Sequence, residues 1–166
     1  MANHDWSKFV LRVNIAADPS LIYRAWTTQN GLESWFLRQA LFTQPNGLCR
    51  KPDESIQKAD GYEWRWHGYP DDVVEKRDVL EANGTDLLRF SFSGGCIVMV
   101  RIFCEAEENL VELTQGNIPT DEPSRISYYC GCSLGWTFYL ANLKSVLEGG
   151  LDLRNKNVNI PNVISA

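Results

Sequence analysis

The sequence predicts an α+β fold in which a curved antiparallel sheet of about six to seven strands wraps around one long C-terminal helix. Three observations support this prediction. Short strand-like segments follow one another with tight turns between them, a long amphipathic segment lies near the end of the chain, and two short helical segments follow the first strand. An amphipathic helix has to bury its apolar side, and one face of an antiparallel sheet can cover it.

The first strand and the two short helices are predicted from the N-terminal part of the chain. Apolar side chains alternate with more polar ones over Phe9–Ile15, which is typical of a strand. Asp18 can then accept a hydrogen bond from a free N–H group at a helix start, and Pro19 suits the first helical position. We expect Asn30-Gly31 to break this helix and Leu32–Phe36 to form the second one.

The middle of the chain predicts an antiparallel meander. Pro45-Asn46-Gly47 marks a turn, and Asn83-Gly84 is the strongest two-residue hairpin signal in the sequence. Regular spacing of strands and turns is typical of hairpins that follow one another in a single sheet. The predicted strands are Gln39–Thr43, Gly61–Gly68, Val73–Glu81, Leu87–Phe92, Cys96–Glu105 and Leu110–Gln115.

A long amphipathic helix is predicted between Pro123 and Gly149. Its apolar side chains recur at steps of mainly three and four residues, and Gly149-Gly150 provides the left-handed residue that commonly ends a helix. At ~1.5 Å of rise per residue, such a helix is long enough to cross a whole sheet. The apolar face consists of Cys132, Trp136, Tyr139, Leu140, Leu143 and Leu147.

Length and charge limit the classes of function. A chain of 166 residues fits one domain, which we place at residues 8–154 with terminal extensions 1–7 and 155–166. A net charge of −5 without a Lys/Arg cluster argues against nucleic-acid binding, and no apolar run reaches the ~20 residues that cross a membrane. Five scattered cysteines and no signal peptide favour a cytoplasmic protein.

Five motifs lie towards the two ends of the chain: residues 13–19, Tyr23–Thr27, Leu32–Phe36, Gly135-Trp136 and Leu143–Gly150. They resemble the START-like (SRPBCC) helix-grip superfamily, and within it the AHSA1-like group related to the activator of the Hsp90 ATPase. The resemblance covers roughly residues 8–154. It implies a helix gripped by a curved sheet, a frame that this superfamily uses for lipid carriers, hormone receptors and aromatase/cyclases.

A cluster of aromatic residues predicts either a filled core or a ligand cavity between the sheet and the long helix. Strand alternation places Tyr62, Trp64 and Trp66 on one face. Trp35-Phe36 is interpreted as a gate at the cavity mouth, as a staple between helix and sheet, or as both. Arg101 lies in an apolar run and is either solvated or turned inward toward an anionic ligand. The candidate ligand-binding residues are Trp35, Phe36, Trp64, Trp66, Phe90, Arg101, Trp136 and Tyr139.

The sequence contains no catalytic motif, and no cofactor or metal is predicted. His4 lies near the terminus and His67 alternates to the face opposite Trp66, and neither has a partner placed by the sequence. The Cys130-Gly131-Cys132 spacing does not match a zinc site, and we expect the cysteines to behave as small buried apolar residues.

Three functions remain as hypotheses at this point. The first is a protein that binds a small hydrophobic molecule in a cavity. The alternative is a chaperone-associated protein-interaction module with a filled core, and the second alternative is an aromatase/cyclase-like enzyme. A homodimer or another protein partner is compatible with each of them.

Overall fold

One antiparallel sheet organises the protein. The computed structural model describes residues 4–160 and 163–164. In this part of the chain, seven strands form a sheet with the order β1-β7-β6-β5-β4-β3-β2, and every neighbouring pair is antiparallel. The strands are β1 (Phe9–Asn14), β2 (Gln39–Thr43), β3 (Gly61–Arg65), β4 (Glu75–Ala82), β5 (Leu87–Ser91), β6 (Ile97–Glu105) and β7 (Glu108–Gly116).

The predicted strands are confirmed, with shifted ends. β3 stops at Arg65 and β4 begins at Glu75, so the connection between them is longer than the sequence pattern indicated. Val73 and Val74 therefore belong to this connection, although their β-branched side chains suit a strand. The connection between β3 and β4 becomes one wall of the site described below.

Two short helices, α1 (Pro19–Thr27) and α2 (Gln29–Trp35), follow β1. Asp18 accepts the hydrogen bond from the Ser20 backbone N–H at 2.8 Å, which confirms the predicted start of α1. The predicted break at Asn30-Gly31 is wrong, because the break is at Thr28. The extended Thr28 uses its hydroxyl to accept the Gly31 N–H at 2.9 Å and so caps α2.

The C-terminal helix is continuous but not uniform. It consists of α3 (Glu122–Ser124), a π-helical segment (Arg125–Gly131) and α4 (Cys132–Leu147), together 26 residues. Gly149, at a φ of 81°, follows its end as predicted. None of the described helices is long and apolar enough to cross a membrane. The amphipathic pattern predicted one helix but not its π-helical segment.

The core lies between one face of the sheet and the helices α1, α2 and α4. Trp26, Trp35, Trp64 and Phe90 are among the largest fully buried side chains. The rings of Trp26 and Trp35 meet edge to face, with centroids 4.6 Å apart, a favourable aromatic geometry. This contact between Trp26 of α1 and Trp35 of α2 therefore packs both short helices into the core.

A buried polar network attaches the segment after α4 to the rest of the protein. The Arg154 side chain is 1% exposed and donates to the carbonyl oxygens of Leu37 at 2.9 Å and Glu33 at 3.0 Å. Asp152 accepts two hydrogen bonds from the same guanidinium group. Asn142 of α4 donates to Asp152 at 3.0 Å. We call Asn142, Asp152 and Arg154 the tail network.

A second buried ion pair stabilises the long connection between β2 and β3. Arg50 donates to both carboxylate oxygens of Asp60, with Nη2 to Oδ1 at 3.0 Å, and the Asp60 side chain is fully buried. The hydrogen bonds and the charge of Asp60 raise the pKa of Arg50, although burial opposes them. Arg50 is therefore an interior residue and not part of a basic surface.

Candidate functional site

A cavity of about 420 Å³ opens between the C-terminal helix and one end of the sheet. Three chain segments form its walls: the helix itself, the connection from β3 to β4, and the turn that follows β5. The residue after α2, Phe36, closes one side. The lining residues are Phe36, Trp66, Tyr69, Val73, Val74, Glu75, Phe92, Ser93, Gly131, Cys132, Gly135, Trp136 and Tyr139.

Aromatic rings form most of the apolar lining. The Phe36 ring is 5.0 Å from Trp136 and 4.8 Å from Tyr139, measured between ring centroids. Trp66 meets Phe36 edge to face at 5.8 Å and remains partly exposed, whereas Phe36 is buried. Phe92 lies 5.7 Å from Trp136 on the opposite side. These mutual contacts hold the rings in place around an open volume.

Gln115 holds Trp136 in position. Gln115 is fully buried on β7, and its Oε1 accepts the indole N–H of Trp136 at 2.9 Å. Its Nε2 donates to the carbonyl oxygen of Tyr128 at 3.1 Å, in the π-helical segment. One amide thus fixes both a cavity wall and the irregular turn of the helix. The apolar pattern does not single out Gln115, although its position two residues after Leu113 places it on the inner face.

The polar end of the cavity consists of Glu75 and Ser93. The Ser93 hydroxyl donates to Oε2 of Glu75. Oε1 of Glu75 is buried and accepts no hydrogen bond from the described residues, while Nε of Arg77 stands 3.2 Å away without hydrogen-bond geometry. The Glu75 side chain is 13% exposed and Arg77 is 44% exposed. A carboxylate and a hydroxyl are therefore placed in an otherwise apolar lining.

Two further polar groups line the cavity, and burial keeps both in the neutral form. Burial raises the pKa of the Cys132 thiol, an effect that a hydrogen bond with Gln115 opposes. Burial also raises the pKa of Tyr139 to about 12. Tyr139 thus presents a phenol and not a phenolate at neutral pH.

The structure divides the predicted ligand-binding residues into two groups. Phe36, Trp66, Trp136 and Tyr139 line the cavity. The remaining buried aromatics, Trp35, Trp64 and Phe90, belong to the core beneath it.

Trp35 acts as a staple between the helices. Its indole N–H donates to the carbonyl oxygen of Ala25 at 2.9 Å, and its side chain is fully buried. Phe36, the second residue of the predicted pair, instead lines the cavity. Both predicted roles, gate and staple, belonged to the Trp35-Phe36 pair as a whole. In the structure Trp35 is the staple, and Phe36 alone lines the cavity.

Arg101 does not point into the cavity, so it takes the solvated position of its two predicted alternatives and its inclusion among the ligand-binding candidates is wrong. Its side chain is 53% exposed and pairs with Glu112 at 3.7 Å. Its guanidinium carbon lies 5.4 Å from the Phe103 ring centroid. Alternation along β6 turns Val100 and Ile102 inward and hence Arg101 outward.

The cysteines and histidines differ partly from expectation. Cys96 is buried, but Cys49, Cys104 and Cys130 are exposed, so the prediction of buried cysteines does not hold for these three. His4 is not isolated, because its Nε2 is 2.8 Å from the Tyr129 hydroxyl. Among the described residues, no group of three or more His, Cys, Asp or Glu side chains is placed to hold a metal ion.

The sequence matches a known family over residues 16–148, described as activator of Hsp90 ATPase homolog 1-like protein. The chain belongs to this AHSA1-like family. The match includes both short helices, the whole sheet except β1, and α4 to its end. This finding confirms the resemblance predicted from the sequence motifs. Among curated protein sequences, none matches the chain.

Solved structures with low sequence identity share the fold. A protein from Staphylococcus saprophyticus has a TM-score of 0.69 at 14% identity, covering 89% of this chain and 96% of its own. The Aha1 dimer from Colwellia psychrerythraea gives 0.65 at 18% identity, covering 86% and 97%. DynU16, from the dynemicin biosynthetic locus, gives 0.64 at 17% identity, covering 90% of this chain and 50% of its own. At such identities the likeness shows the fold alone.

Proposed function

We propose that this AHSA1-like protein binds a small hydrophobic molecule in the cavity between the sheet and the C-terminal helix. The observation that carries this proposal is an open, aromatic-lined volume of about 420 Å³ next to a tightly packed core. Ligand pockets typically enclose about 300–1,000 Å³, with mostly apolar walls and a few polar groups. The lining described above has this composition.

Gly135 offers a direct test of the proposal. It lies in α4 and lines the cavity, and a Cβ added there would meet no atom within 4 Å. A leucine at this position would extend into the open volume without displacing backbone. Leucine also favours a helix over glycine by about 0.8 kcal/mol. Gly135→Leu should therefore fill the cavity and leave the fold as stable as before, or more stable.

The experiment measures binding of the neutral apolar dye Nile red by fluorescence, together with thermal unfolding. We expect Gly135→Leu to weaken dye binding at least about tenfold, equivalent to 1.4 kcal/mol, without lowering the melting temperature. Thr137→Leu adds the same side chain to an exposed position of the same helix and serves as the control. Equal dye binding by Gly135→Leu and the unmodified protein would contradict the proposal.

Native mass spectrometry of the purified protein provides an independent test. A retained molecule of a few hundred daltons, lost on denaturation, would identify the ligand directly. The same measurement on Gly135→Leu should show the bare mass. Retention of the molecule by this variant would place its binding site outside the cavity.

A second candidate function is self-association through the outer side of the C-terminal helix. Ile126 is 63% exposed, Leu134 is 73% exposed, and Cys130 between them is also exposed. We call these three residues the outer stripe. Apolar side chains that recur on the solvent side of a helix favour a protein contact. The similar Colwellia psychrerythraea structure is a dimer, and for this reason a second copy of the chain is the partner we propose.

Sedimentation equilibrium tests this second candidate. Leu134→Glu should shift a dimer to monomer, because it places a charge in an apolar contact. Leu48→Glu introduces the same change at a loop residue that is 62% exposed, and it should leave the assembly unchanged. A monomer at all concentrations for the unmodified chain would exclude the homodimer.

A further inference from the structure

We propose that the ligand of this cavity carries a hydrogen-bond donor, a hydroxyl or an amine, which binds at the Ser93–Glu75 pair. This inference rests on the proposed function and specifies the ligand class. Both side chains line the same cavity, and the rest of the lining is mainly apolar. Their arrangement makes this end of the cavity an acceptor of hydrogen bonds.

The hydroxyl of Ser93 has one proton, and that proton is used inside the protein. Ser93 Oγ donates it to Oε2 of Glu75. A hydroxyl that donates its proton retains lone pairs and can only accept from a further partner. A ligand group that lacks a proton would therefore meet the lone pairs of Ser93 without forming a hydrogen bond. A hydroxyl or an amine of the ligand can donate to Ser93 Oγ, which in turn donates to Glu75.

The carboxylate strengthens this preference. Oε1 of Glu75 is buried and accepts no hydrogen bond from the described residues. Arg77 neutralises part of the charge from outside the cavity, since its guanidinium group is not part of the lining. Oε1 itself is covered and faces Nε of Arg77 at 3.2 Å. The carboxylate therefore acts on the ligand through its negative charge, which favours a hydrogen-bond donor over an acceptor at this end of the cavity.

The geometry of α4 also sets the length of the ligand. Cys132 lies at the Glu75 end, close enough for the Glu75 carboxylate to add to the effect of burial in raising the pKa of the thiol, and Tyr139 lies seven residues further along the same wall. Seven residues of helix correspond to roughly 10 Å. An elongated apolar body with one polar end fits this space, with its far end among Phe36, Trp66 and Tyr139.

Two biphenyls of nearly the same shape test the inference by displacement of Nile red. 4-Hydroxybiphenyl offers a donor, and 4-methylbiphenyl offers none. A pocket without an acceptor should prefer the methyl compound, because transfer of a hydroxyl from water without a partner is costly. We expect the protein to bind the hydroxyl compound at least as tightly. In Ser93→Ala the ratio of dissociation constants should move by about tenfold toward the methyl compound.

A second variant keeps the shape of the site and changes its polarity. In Glu75→Gln the amide N–H can donate to Ser93, which frees the serine proton for the ligand. The preference for 4-hydroxybiphenyl should then fall, and 4-methoxybiphenyl, which only accepts, should bind more tightly than to the unmodified protein. Ser133→Ala, which removes a hydroxyl outside the cavity, is the control. 4-Aminomethylbiphenyl distinguishes a cationic donor from a neutral one.

The outcomes separate the two proposals. Nile red binding that Gly135→Leu abolishes, with the same hydroxyl-to-methyl ratio in the unmodified protein, Ser93→Ala and Glu75→Gln, overturns the donor inference and leaves the cavity proposal standing. Failure of the dye and of every biphenyl to bind overturns both proposals. A ratio that shifts in Ser93→Ala and Glu75→Gln but not in Ser133→Ala supports the inference.

Discussion

Single buried polar side chains determine much of the geometry of this protein. Gln115 fixes Trp136 against the cavity, and Arg154 connects the tail to the carbonyl groups of Glu33, in α2, and Leu37, which follows α2. Each of these groups is satisfied by several partners, which is the condition under which polar groups are tolerated in a core. Removing one partner should therefore cost more than an average substitution, because a buried group is left unpaired.

Asp152 leads to a prediction on pH dependence at this scale. Burial alone would raise its pKa, but hydrogen bonds from Arg154, Lys156 and Asn142 outweigh burial and hold the pKa well below its usual range. Because the folded protein has the lower pKa, the stabilisation is fully present above about pH 4 and is lost as the pH falls further. Asp152→Asn should cost about 3 kcal/mol of unfolding free energy at pH 7, since Arg154 remains buried without its counter-charge.

Urea denaturation at pH 7 and pH 3 provides the measurement. The difference between Asp152→Asn and the unmodified protein should shrink at pH 3, because Asp152 of the unfolded chain is then largely protonated whereas the folded protein keeps it ionised, which lowers the stability of the unmodified protein alone. Asp71→Asn is the matched control: Asp71 also pairs with an arginine, Arg38, but its side chain is 86% exposed, so the cost should be small. A cost for Asp152→Asn that is equal at both pH values would rule out the charge as its cause.

At the scale of elements, the turn after β5 and the π-helical segment form one packed unit beside the cavity. Gly94 has a φ of 69°, and a Cβ added there would stand 2.5 Å from the Tyr128 ring. Its neighbour Gly95 has a similar φ of 77°, but a Cβ there would meet nothing within 4 Å. The two glycines thus share the backbone requirement and differ in packing.

Alanine at these two positions separates backbone strain from packing. Gly95→Ala should cost about 1–2 kcal/mol, because a side chain disfavours the left-handed conformation. Gly94→Ala should cost at least about 1 kcal/mol more, through overpacking against Tyr128. Thermal or chemical unfolding of both variants measures the difference. In a Tyr128→Ala background, Gly94→Ala should cost no more than Gly95→Ala does. Equal costs of Gly94→Ala and Gly95→Ala in the unmodified background would contradict the packing argument.

At the scale of the whole molecule, the fold does not end with the C-terminal helix. The tail network continues the core beyond Gly150 through Asp152 and Arg154. We expect a chain shortened to residues 1–156 to be as stable as the full chain, within about 0.5 kcal/mol. A chain shortened to residues 1–150 should lose about 3 kcal/mol, because Asn142 and the carbonyl groups of Glu33 and Leu37 lose their partners.

Guanidinium denaturation of both shortened chains tests this expectation. A similar stability of the two would show that the segment 151–156 adds nothing to the core. An equally large loss of stability in both shortened chains would show that residues after Lys156 contribute, which would contradict the expectation for the chain 1–156.

Hydrophobic periodicity predicted the architecture, because every strand is bounded by a recognisable turn and one face of each is apolar. It singled out Phe36, Trp66, Trp136 and Tyr139, which line the cavity, and ligand binding by them stays a prediction. It could not place Glu75 or Ser93, because the loops that carry or flank them have no period.

A pattern of apolar residues says little about where charged and polar side chains lie. Arg101 was a candidate ligand-binding residue because of its apolar neighbours, with a solvated position as the alternative, and alternation along the strand turns it outward. Arg50, Gln115 and Arg154 were not recognised as interior residues, because a pattern of apolar residues carries no information on polar groups that find partners across long stretches of sequence.

The cavity has one wall that belongs to the core and one that does not. Phe36 and Trp136 cannot change without loss of stability, whereas Tyr69 and Val73 lie in a surface connection and are exposed. Substitutions and insertions in such a connection are tolerated well. Sequence changes in this connection alone can therefore alter which molecule the cavity accepts, while the sheet and the helices stay the same. Homologous proteins that bind different ligands should then differ most in sequence in the connection between β3 and β4.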